Sequence, residues 1–155
     1  ENRVGTGGLC AAEVMRGIRE STGWGNLFLE DISIALDGGV GLSGGLCGAL
    51  AGALVSLGLA WGIDPAGEGV TGTLFAFARG HWNLYTGRQE SEMWAVANPL
   101  VRAFRREFGA LECRELVGRL FRDGGELASH VVSSSLCAGF KAWCVERAEE
   151  ILRRG

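Results

Sequence analysis

Residues 42–62, LSGGLCGALAGALVSLGLAWG, contain no charged side chain and constrain the fold more than any other stretch of the chain. A helix of about twenty residues rises roughly 30 Å, enough to cross a bilayer core. Gly44, Gly48 and Gly52 recur at every fourth position, and Gly58 stands in the same relation to Gly62. Small residues at that spacing let a second backbone approach closely, in lipid or in a protein core. The flanks decide between the two. The nearest charges are Asp37 and Asp64, both acidic, whereas a span carries Lys or Arg on its cytoplasmic side. The remaining segments are amphipathic and need an apolar element to pack against. The expectation is a buried central helix over 43–61 and no membrane span. Its glycine face should meet another helix, and a homodimer through that face is one way to supply it.

Helical periodicity runs through most of the rest. LCAAEVMRGIREST (9–22) sets Leu9, Val14 and Ile18 on one stripe with Glu13, Arg16, Arg19 and Glu20 outside, and Gly23 ends it. NLFLEDISIALDGG (26–39) opens on an Asn cap and stops at two glycines, although FLEDISIAL also has the pattern of a short strand. Residues 69–87 form a second apolar helix with Thr71 near its cap, and 91–109 a third that meets Pro99 and stops at Gly109. CRELVGRLF, GELASHVVSSSL and the arginine-ended 137–154 complete the chain. The reading is an all-α, single-domain bundle (1–155) of about six helices around the glycine-rich central one, with residues 1–8 poorly ordered. Twenty-six glycines against two prolines suit packed helices joined by Gly-capped turns.

The net charge of −3 disfavours nucleic acid as a partner. Arginines of the C-terminal third are interspersed with Glu, the pattern of a solvated helix surface. A start at Glu1 without Met suggests a trimmed or engineered beginning, and no stretch has the build of a signal peptide. A cytoplasmic setting is expected, with cysteines reduced or holding a metal. GGVGLSGG (38–45) lacks the lysine of a phosphate loop and reads as a tight turn into the central helix. His81 reads as a core or core-edge residue, His130 as a helix-surface one. The five tryptophans (Trp24, Trp61, Trp82, Trp94, Trp143) read as packing.

The five cysteines stand at 10, 47, 113, 137 and 144, with no CxxC and no CxxCH, so c-type haem is not expected. Their settings, LCAAEVMRGI, SGGLCGALAGALVSLGLAWG, FRREFGALECRELVG and LCAGFKAWCVERAEEIL, resemble the redox-active protein family of the C_GCAxxG_C_C type. The family's Gly-Cys-Ala order is met here as Cys47-Gly48-Ala49, and the last cysteine is Cys137, with Cys144 as its substitute. A similar domain accompanies haem modules in split-Soret-type cytochromes, and that haem half does not carry over. The resemblance implies a small helical domain whose cysteines gather at one place. Cys10, Cys47, Cys113 and Cys137 would then be metal ligands for an iron–sulfur cluster, with zinc as the alternative and a redox partner protein served by the site. Cys113 and Cys137 near helix N-termini, and Arg114 beside Cys113, would favour thiolates. Cys137 and Cys144, about 10 Å apart on one helix, are too distant to pair. A helical binding or dimerisation module with buried structural cysteines, and a structural zinc protein, remain as rival readings. Nothing in the sequence establishes an enzyme.

Overall fold

The computed structural model describes residues 9–61, 65–87 and 92–154. Among them the chain forms α1 (Ala11–Thr22), α2 (Leu27–Ile32), α3 (Gly48–Trp61), α4 (Pro65–Thr86), α5 (Glu92–Phe108), α6 (Cys113–Val117), α7 (Gly124–Ser133) and α8 (Ser135–Arg154). A 3₁₀ turn, Ser33–Leu36, follows α2, so FLEDISIAL is helical and not a strand. Strand pairing among the described residues is one isolated bridge between Leu46 and Glu112. The architecture is all-α, with more and shorter helices than the periodicity suggests. The expected disorder of residues 1–8 lies outside the described residues.

α3 is the centre: α1, α5 and α8 pack on it, and α1 also packs on α8. It begins at Gly48, not at 43, because Gly44 has a left-handed φ of 75° and the Cys47 N–H donates to the Leu111 carbonyl. No helix among the described residues is long and apolar enough to cross a membrane. At Gly48 and Gly52 the small face of α3 is filled from within the chain, whereas a β-carbon on Gly58 would meet nothing. A β-carbon on Gly52 would lie 2.6 Å from the Ala11 carbonyl oxygen, and one on Gly48 3.0 Å from Cys10 Cβ. The helix that approaches the glycines is therefore α1.

Leu50, Leu57, Phe104 and Cys144 are fully buried in the main core. Its aromatic part is edge-to-face: Phe104 with Trp143 at 5.5 Å between ring centroids and Phe108 with Phe140 at 4.8 Å. Such pairs add about 0.5–1.5 kcal/mol each beyond the area they bury. Glu30, buried on α2, is held by Arg16 and Arg19 of α1. Trp61 and Trp143 pack on this core, whereas Trp24, Trp82 and Trp94 are exposed, contrary to the expectation that all five pack. α4, kinked at Gly69 (φ 70°), departs furthest from the sequence reading. Val70, Leu74, Phe75, Phe77, Trp82 and Tyr85 all stand in solvent.

Candidate thiol site

The site is organised by the loop between the 3₁₀ turn and α3. Gly38, Gly39, Val40, Gly41 and Leu42 all have φ between 62° and 79°, a left-handed turn that ordinary L-residues resist. Glycine is obligatory at 39, where a β-carbon would fall 2.5 Å from the Gly45 nitrogen. The turn is closed by the Gly44 and Gly45 N–H groups donating to the Gly38 and Gly39 carbonyls, 3.0 and 2.9 Å. GGVGLSGG is thus the tight entry to the central helix that the sequence suggests.

Three cysteines hang on this loop. Cys47 ends it. Cys113 is tied to it by its own N–H, which donates to the Gly45 carbonyl at 2.6 Å, just past the Leu46–Glu112 bridge. Cys10 is tied through Asp37, a buried carboxylate that accepts from the N–H groups of Cys10 at 3.0 Å and Ala11 at 2.9 Å. Asp37 thereby caps α1 from 26 residues away, serving two donors that the start of a helix leaves unmet. The fourth thiol, Cys137, lies in the first turn of α8, where its N–H donates to the Ser134 hydroxyl at 3.2 Å.

All four line one cavity of about 20 Å³, closed by Phe121, Leu127 and other apolar side chains. This volume holds one water-sized body. Among the described residues no three His, Cys, Asp or Glu side chains stand close enough to hold a metal ion as placed, so the thiols line the walls without converging on a point. Cys144 lies in the main core, off this cavity.

Burial dominates the electrostatics. It pushes the Cys10 thiol far up, and Asp37 adds to the effect. It raises Cys113 from near 9 to about 11, with Cys47 and Cys137 contributing. It raises Cys47 as well, against the pull of the Ala49 and Leu50 N–H groups. At neutral pH these three are protonated thiols, poor nucleophiles by themselves. Arg114 does not counter this, because it is turned outward to Glu112 at 2.7 Å.

Two residues of the site escape a sequence reading. Asp37 shows there only as a flanking charge. His130 is not a plain surface residue: it is half-buried, it lines the thiol cavity, and its Nε2 is buried without a hydrogen-bond partner. His81, in contrast, is exposed on α4 against Phe77, 4.6 Å between ring centroids, and lies outside any core.

The model of one family, described as "Putative redox-active protein (C_GCAxxG_C_C)", matches residues 9–151. Comparison with curated proteins gave no match, and comparison with solved structures gave none either.

Proposed function

The chain belongs to the C_GCAxxG_C_C family, and from that premise we propose that Cys10, Cys47, Cys113 and Cys137 together hold a redox-active metal group. An iron–sulfur cluster is the form favoured by the family resemblance, and electron transfer is the activity. The observation that carries this reading is that four thiols from four separate segments line one cavity. The donor chemistry fits: four soft sulfurs suit iron–sulfur clusters and also zinc, and an orphaned imidazole nitrogen borders the same space.

The residues have distinct tasks. Asp37 fixes the backbone at Cys10, and Gly45 fixes it at Cys113. Phe121 and Leu127 keep water out. A bound group would supply the reversible electron. Because metal is bound by thiolates and burial keeps Cys10, Cys47 and Cys113 protonated in its absence, loading releases protons and weakens as pH falls. A cavity of about 20 Å³ is small for any metal group, so the four thiols must draw together on a single ion, and a cluster requires the walls to part. The reading extends to a cytoplasmic setting, where thiols stay reduced, and to a protein redox partner.

The test is protein purified without oxygen, its visible absorption recorded and iron, sulfide and zinc assayed on the same sample. Charge-transfer bands with stoichiometric iron and sulfide, both lost in Cys47→Ser with helicity retained, support the proposal. One zinc per chain supports the structural-zinc reading instead. Metal-free protein with five free thiols sinks the proposal.

A further inference from the structure

Resting on the reading just given, we propose that His130 is a positioning residue of the thiol site, its Nε2–H donating a hydrogen bond to a sulfur of the bound group. Two nitrogen-bearing side chains line the cavity, His130 and Lys141. Lys141 is committed to Glu13, a pair that joins α8 to α1. His130 Nε2 is buried and has no partner. Native proteins rarely leave such an atom unmet unless an ion, a water or a ligand completes it. Phe121 holds the imidazole in place, ring centroids 5.1 Å apart, and α7 carries it toward α8, on which it packs. The remaining walls offer apolar surface and sulfur. A sulfur made electron-rich by a metal is therefore the acceptor that this cavity can present, and N–H donors to such sulfurs are among the determinants of cluster potential.

The experiment compares wild type, His130→Phe and His130→Gln, all purified without oxygen. Metal content, helicity and midpoint potential are measured on each. The expected result is unchanged metal content, a lower potential in the Phe variant, and recovery toward wild type with Gln, whose amide N–H reaches the place of Nε2. Equal potentials in all three overturn the proposal. Loss of metal from the Phe variant with helicity kept also overturns it, because His130 would then be a ligand. A metal-free or zinc-loaded wild type overturns the parent reading, and this one falls with it; a coloured wild type with unmoved variants overturns this one alone.

A second proposal stands on α4. The structure assigns its exposed stripe to a second copy of this chain. Val70, Leu74, Phe77 and His81 follow a four-three-four spacing, the seam of a helix pair. Val70, Leu74, Phe75, Phe77, Trp82 and Tyr85 each keep more than half their surface in water. Together they expose on the order of 800 Å² at the usual size of such side chains, the share each partner gives to a standard interface and more than a monomer's largest apolar patch. A membrane-surface helix would carry a basic polar face, and between 69 and 87 the one basic residue besides His81 is Arg79. Light scattering of the purified full chain should give a dimer mass, and Phe77→Glu a monomer with unaltered helicity. A monomeric wild type at high concentration, or a Phe77→Glu variant that stays dimeric, overturns the assignment.

Discussion

The molecule holds two hydrophobic clusters of different character. The larger, around Leu50, Leu57, Phe104 and Cys144, is filled by interlocking rings and aliphatic chains from α1, α3, α5 and α8. The smaller, Phe121, Leu127, Val131 and Cys137 with Cys10 and Cys113 at its edge, surrounds a cavity and an unmet imidazole nitrogen. Cys47 belongs to the first and lines the cavity of the second. The difference teaches where stability and chemistry are lodged. A filled core resists change, whereas a cluster with a small cavity and an unmet polar atom is the place where the proposed chemistry has room to act.

Substitutions that separate the two clusters test this division. Phe104→Ala should have the largest effect, lowering unfolding free energy by about 3–5 kcal/mol in denaturant titration, since the ring is fully buried. On the metal reading proposed above, independent clusters would leave the folded fraction with the wild-type metal ratio. Next is the pair on α8. Cys144→Ser buries a hydroxyl in the apolar core and should cost about 1–3 kcal/mol with metal content kept. Cys137→Ser should do the reverse, losing metal with the smaller change in the stability of metal-free protein. Equal behaviour of the two would erase the distinction.

A milder effect comes from pH. The Cys113 thiol is raised by burial to about 11, so in unfolded chains it ionises first. The folded state then binds more protons, and stability of reduced, metal-free protein is full below about pH 9 and declines as pH rises toward 11. A melting temperature flat across that window would contradict the burial of this group. The smallest effect is expected from Trp82→Ala, which should move the stability of the isolated chain by no more than about 0.5 kcal/mol, because that ring is exposed.

The two clusters also differ in how legible they are. The main core is written in periodicity: Val14, Ile18, Leu50, Leu57 and Phe104 stand where helical spacing puts apolar residues, and all-α architecture follows. The cysteines of the small cluster stand out through the family resemblance, yet their supports do not. Asp37 reaches Cys10 across 27 positions, a contact that no local pattern encodes. His130 looks like a surface residue because its neighbours Ser129 and Ser133 are polar; only the fold puts Phe121 beside it. α4 misleads in the opposite direction. Its composition is that of a buried helix, and nothing in composition says whether the partner comes from the same chain. For α3 it does, since α1 lies against Gly48 and Gly52.

From Gly38 to Leu42 the backbone coils with the hand opposite to that of every helix around it. On one side of this reversed coil Asp37 grips Cys10; on the other Gly45 grips Cys113. The segment therefore works as a spacer that depends on its number of residues and on glycine at 39. Inserting one residue between Asp37 and Cys47 would rotate one grip out of phase with the other and part the thiols. Alignments of relatives should show this segment agreeing in length and keeping the glycine at 39, and a family in which its length drifts while all four cysteines remain would contradict that role.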